Sequence, residues 1–276
     1  MREIDQASVK QYWVNVKPSI LGPYMMDGFG FPVSAGHFRF QGESDIVRSL
    51  LGDIKQNSTI LDLGSGAGHW AETFARHFAR VIAVERSDTL YQALKKRCIA
   101  YPNIHAIHGD ALAFKPNESY NVAFLGGLLM YLDESDILLL LKKLVTCLEP
   151  GGIILCREST VQGNTLRNQD KAYPVIYRSV PEYQHLFKQC GLTLQQVKIN
   201  TPYIFMQRGC ELIKQWKRWV PKSLQALSVV GHLTYWGLRL GNPCIKRLPK
   251  HCFGAPFPKL ENHFFVLTSN EPTQNE

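Results

Sequence analysis

Short apolar runs recur through residues 55–200, and most of them end in an acid or a glycine. Residues 60–63, 80–85 (RVIAVE), 105–110 (HAIHGD), 120–127 (YNVAFLGG) and 152–158 (GIILCRE) have the length and composition of strands. Between most of them the spacing turns helical. In residues 69–78, Trp70, Phe74 and Phe78 recur every fourth position, a stripe that predicts packing against a core. Ser87 and Asp88 begin a helix that runs through Cys98, and residues 137–148 form a leucine-rich helix expected to bury itself on the sheet. The breaker Glu149-Pro150-Gly151-Gly152 stands before the fifth strand. Ser179-Val180-Pro181-Glu182 is a capping-box pattern that starts a helix ended by Gly191, and residues 193–199 follow as a sixth strand. Strands alternating with helices predict an α/β fold.

The flanks read differently. Residues 5–16 fit a short amphipathic helix carrying Tyr12 and Trp13. Residues 17–41 carry Pro18, Gly22, Pro23, Gly28, Gly30, Pro32 and Gly36 with aromatics between them, a pattern that predicts no long regular element yet is too apolar for a solvated linker. Two readings stand for it, a lid over a bound ligand or a wrap over the sheet edge. A helix over residues 43–52 then leads into the first strand, and residues 159–177, with Asp170, Tyr173 and Tyr177, read as a polar loop after the fifth.

The chemistry begins at residues 60–70, ILDLGSGAGHW. A strand runs into Asp62; Gly64, Gly66 and Gly68 then fall at every second position, and a helix starts near His69. Glycines there permit positive φ and let a ligand approach the backbone, while helix N–H groups face the turn. A nucleotide-like ligand is implied. Dinucleotide folds use G-x-G-x-x-G with a small sixth residue; here that place is His69, and an acid precedes the first glycine by two.

This D-x-G-x-G-x-G turn, followed in register by Glu85 after the second strand and Asp110 after the third, resembles the class I S-adenosylmethionine-dependent methyltransferases of the small-molecule type. The resemblance covers roughly residues 55–200. It implies a doubly wound, Rossmann-like sheet of about seven strands with helices on both faces, and S-adenosylmethionine as cofactor. It assigns the cofactor loop to Asp62, Gly64, Ser65, Gly66 and Gly68, the ribose hydroxyls to Glu85, and the adenine amine to Asp110 with Ala111 beside it. The active-site lining falls to Leu125, Gly126 and Gly127. Glu158, Tyr131 and Tyr177, with Tyr173, are the acceptor-side candidates, because they lie near or after the carboxyl ends of strands. Two departures show. Asn121 stands where the family usually carries an acid in the fourth strand, and the histidine often found near Met130 is missing. The Asn-Pro-Pro-Tyr signature is absent too, which weighs against DNA-base and glutamine-amide acceptors. The family's seventh, antiparallel strand matches only residues 263–268 (HFFVLT), so residues 200–262 become a helical insertion before the last strand.

The chain is thereby drawn as an N-terminal helix and lid (1–42), a cofactor-binding core (43–199), the insertion (200–262), and the last strand with a tail (263–276). Charge sharpens the insertion. Residues 208–250 hold nine Lys or Arg against Glu211, which is +8 and equals the net charge of all 276 residues. Trp216, Trp219 and Trp236 lie there as well. The apolar stretch 224–240 is shorter than the roughly 20 residues of a bilayer span. Three readings follow: an interfacial helix pair making peripheral membrane contact, a cap over the substrate pocket with core tryptophans, and a phosphate-tracking RNA surface. Seven scattered cysteines and no apolar leader predict reduced thiols and a cytoplasmic protein, peripheral at the inner membrane face if the first reading holds. His105 with His108, and Cys244 with His251 and Cys252, lack the spacing of a metal site, so no metal is expected. The function expected is methyl transfer to an O or N of a small or lipid-linked acceptor. The alternatives are an RNA methyltransferase and a membrane-docked, non-catalytic cofactor-binding protein.

Overall fold

The computed structural model describes residues 4–24, 26–52, 57–168, 173–241, 251–252 and 254–269. In chain order its elements are α1 (Gln6–Asn15), α2 (Val33–Leu51), β1 (Thr59–Leu63), α3 (His69–Ala75), β2 (Arg80–Glu85), α4 (Asp88–Cys98), β3 (Ile104–His108) and β4 (Tyr120–Leu125). A 3-10 turn (Leu129–Tyr131), α5 (Glu134–Val145), β5 (Leu148–Val161), β6 (Leu166–Asn168), β7 (Val175–Ser179), α6 (Val180–Gln189) and β8 (Leu192–Ile199) come next. The chain ends with α7 (Thr201–Trp219), α8 (Ser228–Leu240), β9 (His251–Cys252), β10 (Ala255–Pro256) and β11 (Leu260–Ser269). These form two compact units: Met1–Pro18, Leu50–Ile199 and His263–Glu276 in the first, Ser19–Ser49 and Asn200–Asn262 in the second. The units cut across the segments drawn from sequence, because residues 1–18 join the core and residues 19–49 join the insertion.

The first unit is the α/β core. Its main sheet runs in the order β3-β2-β1-β4-β5-β11-β8, with β1 to β5 parallel and β11 antiparallel to β8. Leu61, Leu63, Ala123 and Leu125 share one core cluster with Leu140, Leu141 and Leu144 of α5. The stripe on α3 behaves as predicted: Phe124 meets Trp70 and Phe74 at ring distances of 5.1 Å, and Phe74 meets Phe78 at 5.9 Å. Both caps form as well, with the Ser87 hydroxyl accepting from the Leu90 amide and Ser179 closing a capping box with Glu182. Asn121 takes over a structural role, its Oδ1 accepting from the Thr59 amide at 2.9 Å and tying β4 to the start of β1.

Two expectations need correction. The Pro-Gly-Gly breaker lies inside β5, which starts at Leu148; the ladder to β4 shifts register between Tyr120 and Val122, so the chain bulges instead of stopping. The polar loop 159–177 also shortens. Residues 159–161 continue β5 as buried strand, and β6 and β7 pair antiparallel beyond it. Asp170 lies outside the described residues.

The second unit packs α2, α7 and α8 with residues 19–31. Here α2 begins at Val33, inside the stretch expected to hold no regular element, and not at residue 43. Its first turn starts on Pro32, whose carbonyl accepts from Ala35, and Gly36 serves as a contact point: a Cβ there would stand 2.4 Å from the Leu21 carbonyl oxygen. The core comprises Leu21, Tyr24, Phe31, Phe205, Met206, Tyr235 and Leu238, among others. Fully buried Glu43 anchors a polar hub, accepting from Tyr24, Arg39 and Asn200. Asn200 in turn reaches Asn262 twice, by its amide to the carbonyl and by its side chain at 2.8 Å. Trp219 and Trp236 are 86% and 50% exposed, which removes the reading that put them in a core. Lys246, Arg247, Lys250 and Cys244 lie outside the described residues. No helix among the described residues is long and apolar enough to cross a membrane.

Candidate active site

Everything at the carboxyl ends of β1 to β3 belongs to one cradle. After Leu63 the chain turns through Gly64, Gly66 and Gly68, all at positive φ. The glycines serve different ends. A Cβ on Gly66 would meet nothing within 4 Å, so that position supplies left-handed backbone and leaves the space above the turn open. A Cβ on Gly68 would stand 2.6 Å from Leu94, so that position lets α4 close on the turn. Ser65 holds the turn down, its hydroxyl donating to the Asp62 carbonyl at 2.7 Å.

Glu85 ties this turn to β2. Its Oε2 accepts from the Gly66 amide at 2.8 Å and its Oε1 from the Ser87 amide at 2.7 Å. Each oxygen keeps a further lone pair for a ligand hydroxyl. Burial raises the Glu85 pKa above the ordinary value, although the amides of Ser87, Gly66 and Arg86 pull against it. Asp62 is 1% exposed; burial, helped by the charge of Glu85, pushes its carboxyl up to about 8, and its Oδ2 has no hydrogen-bond partner among the described residues. Asp110, at the end of β3, accepts from Arg86 at 2.9 Å and from the Leu112 amide at 2.8 Å, and the Arg86 guanidinium helps hold its carboxyl low despite burial. The Lys143 ammonium donates to the Ala111 carbonyl at 3.3 Å.

A second group of side chains lines the ends of β4 and β5. Leu125 is fully buried; the Gly126 carbonyl accepts from Arg157 at 3.4 Å. The 3-10 turn that follows is held from both ends. Glu158 Oε1 accepts from the amides of Leu128 and Leu129 at 3.0 Å each, while buried Arg178 donates to the carbonyls of Leu129 and Leu132. Glu158 is 0% exposed and its Oε2 has no hydrogen-bond partner among the described residues. Burial pushes its carboxyl up to about 7, against the pull of the Leu129 and Leu128 amides and Arg157. The Tyr131 and Tyr173 hydroxyls lie 3.1 Å apart, and burial raises both pKa values far above the ordinary one.

α1 covers these tyrosines. Trp13 meets Tyr131 edge-on at 5.2 Å, Tyr12 meets Tyr173 at 5.1 Å, and Tyr177 packs against the same cluster. The helix is fastened by the Ile4 amide on Asp133 and by Gln6 on the Tyr131 carbonyl. Sequence reasoning named Tyr131, Tyr173, Tyr177 and Glu158 but missed Arg178, Tyr12 and Trp13 as their neighbours. An arginine inside the apolar strand VIYRS was the available signal for Arg178. The cradle fits a nucleoside-bearing cofactor on its own geometry: open space over Gly66, a carboxylate with spare lone pairs at the turn, and the buried Asp62 carboxyl, whose Oδ2 has no partner among the described residues.

Comparison with known proteins agrees. Residues 60–152 match a family model described as a methyltransferase domain. Phosphoethanolamine N-methyltransferase 3 of Arabidopsis thaliana is 30% identical over 140 residues, 50% of this chain and 28% of that protein. The chain thus spans only about a quarter of such relatives. Demethylmenaquinone methyltransferase of Staphylococcus saprophyticus is 33% identical over 177 residues, 59% of this chain and 74% of that protein. Ribosomal RNA small subunit methyltransferase A of Dehalococcoides mccartyi is 36% identical over 98 residues, 34% of this chain and 33% of that protein. Among solved structures, a Leishmania major S-adenosylmethionine-dependent methyltransferase shares the fold with a TM-score of 0.62 at 14% identity, covering 95% of this chain and 82% of that one.

Proposed function

Because this chain belongs to the class I S-adenosylmethionine-dependent methyltransferases, we propose that it methylates an oxygen or nitrogen of a small or lipid-linked acceptor. The observation that carries this is the placement of two sites along one row of strand ends: the Gly66–Glu85–Asp110 cradle over β1 to β3, and the Glu158–tyrosine group over β4 and β5. Open α/β sheets bind ligands along that row.

Glu85 would hold the ribose hydroxyls, Asp110 the adenine amine, and the glycine turn the remainder of S-adenosylmethionine. When bound, the cofactor supplies a methyl group on a sulfonium, which leaves as a neutral thioether. The protein's task is then to place the acceptor in line and to receive its proton. Tyr131 and Tyr173, whose pKa values burial raises, stay protonated; one hydroxyl donates to the other, and the proton left over is the one that can orient the acceptor. Glu158 takes the proton at Oε2, since its pKa of about 7 sits where a base is effective. With the cofactor bound, its methyl carbon would exchange the bond to sulfur for one to the acceptor O or N, and Glu158 would hold the acceptor's proton. A cytoplasmic location suits such chemistry.

Titration calorimetry with S-adenosylmethionine tests the cradle. Wild type should bind and Glu85→Ala should lose at least about tenfold in affinity, with NAD as the control that does not bind. Release of S-adenosylhomocysteine in the presence of phenolic, quinol or amine acceptors then tests turnover. Methylation of RNA is the competing reading, favoured by the basic helices and by the ribosomal RNA methyltransferase relative. It predicts RNA affinity that falls steeply with salt.

A further inference from the structure

We propose that the outer side of α8 and the α7–α8 connection seat on the surface of an anionic phospholipid bilayer. This goes beyond the methyltransferase reading and does not depend on it. The starting point is how α8 is held. It turns Gly231, Tyr235 and Leu238 inward, and a Cβ on Gly231 would stand 2.2 Å from the Gly30 carbonyl, so two backbones are in contact on that side. At about 100° per residue, Val229, Leu233, Trp236 and Leu240 then fall within about 60° of arc on the opposite side. They are 52%, 68%, 50% and 83% exposed. The connection adds exposed Trp219, Leu224 and Leu227. Single exposed apolar residues need no explanation, but a helical stripe continued by its neighbouring turn marks an interaction surface.

Charge selects the occupant. Residues 201–240 contain Arg208, Lys214, Lys217, Arg218, Lys222 and Arg239 but one acid, Glu211, whose carboxylate accepts from the Lys259 amide. Lys217 donates to the Gly28 carbonyl, Lys214 lies 5.7 Å from the Phe29 ring and Arg239 lies over the Phe38 ring, while Arg218, which donates to Gln215 on its own helix, and Lys222 are exposed beside Trp219 and can reach outward. A second copy of the chain would bring cations against cations. A nucleic acid would satisfy the cations but gain little from Val229, Leu233 and Leu240. A phosphate surface over an acyl layer answers both, with tryptophans at the boundary that aromatic residues favour. The helix is 13 residues long, about 20 Å, too short to cross and suited to lying in the plane.

The experiment is co-sedimentation of the full chain with phosphatidylcholine vesicles, with and without phosphatidylglycerol, at low and physiological salt. Binding should require phosphatidylglycerol, weaken with salt and shift tryptophan emission to the blue. Arg218→Glu with Lys222→Glu should lower partitioning at least about 25-fold, at about fivefold per cation. Leu233→Ser with Trp236→Ser should lower partitioning and shrink the blue shift, the remainder coming from Trp219. All altered positions are exposed, so S-adenosylmethionine affinity, measured alongside, should stay at the wild-type value and report an intact fold. The proposal is overturned if wild type ignores anionic vesicles or if both variants partition like wild type. It is also overturned by a stable dimer that the Leu233→Ser, Trp236→Ser pair dissolves, or by salt-sensitive RNA binding without vesicle binding.

Discussion

At the scale of single residues, the buried acids set the behaviour. Glu158 accepts from two amides at one oxygen and keeps the other unpartnered among the described residues, with a pKa near 7. Its activity should therefore rise as pH climbs through about 7, where the carboxyl loses its proton. Glu158→Gln should flatten that limb and cut kcat by about 10²-fold or more while leaving the cofactor Kd unchanged; a pH–rate profile with parallel calorimetry checks it. Asp62 behaves oppositely in stability. Its folded pKa, about 8, lies well above the ordinary carboxyl value, so the folded state binds the extra proton and stability falls as pH rises between about 4 and 8. Asp62→Asn should remove part of that slope and gain on the order of a few kcal/mol at pH 8, read by chemical denaturation. Gly68→Ala should lose about 1–3 kcal/mol to overpacking against Leu94, beyond the backbone cost it shares with Gly66→Ala. The positions of Asp62, Glu85 and Asp110 in the fold were legible because Asp62 stands in β1 just before the glycine turn, Glu85 closes β2 and Asp110 follows β3, all local patterns. Arg178 stands out locally only as an arginine in an apolar strand; its role was not legible, since its partners Leu129 and Leu132 lie far away in sequence.

At the scale of elements, most of the core was legible, because strand runs, caps and stripes are local signals. Where the reading failed, tertiary contact had overridden local preference. Gly36 reads as a breaker but sits in α2, where the Leu21 backbone leaves no room for a side chain. Pro150 and Gly151 read as a stop but form a bulge that β5 passes through, held by the β4 ladder. The tyrosine group also needed an element the sequence assigned elsewhere. α1 is the piece that covers Tyr131 and Tyr173, with Trp13 against one and Tyr12 against the other. Trp13→Ala should then raise the acceptor KM several-fold and leave S-adenosylmethionine affinity unchanged, as initial-rate kinetics and calorimetry would show. A matching loss of cofactor affinity would assign α1 to the cradle instead.

At the scale of the whole molecule, two sequence-distant segments, 19–49 and 200–262, make one unit around Tyr24, Phe31, Phe205 and Tyr235. A chain with residues 201–261 replaced by a tight turn should leave Leu21, Met26 and Phe31 uncovered. It is expected to bind a hydrophobic dye and to aggregate, which light scattering would register; a dispersed, dye-silent product would show that the two segments do not need each other. The hydrogen bonds joining Asn200 to Asn262 have a further consequence, in the order of folding. His263 pairs with Ile199 in the sheet, yet about sixty residues separate them. Until the second unit forms, joining β11 to β8 means closing that whole span; afterwards the two asparagines present the strands as if a hairpin connected them. Contacts of such sequence separation form late. The last strand should therefore dock after β1, β2 and β3 have paired, since their partners lie only 21 and 23 positions apart, so refolding should show early protection of β2 and β3 amides and delayed protection in β11.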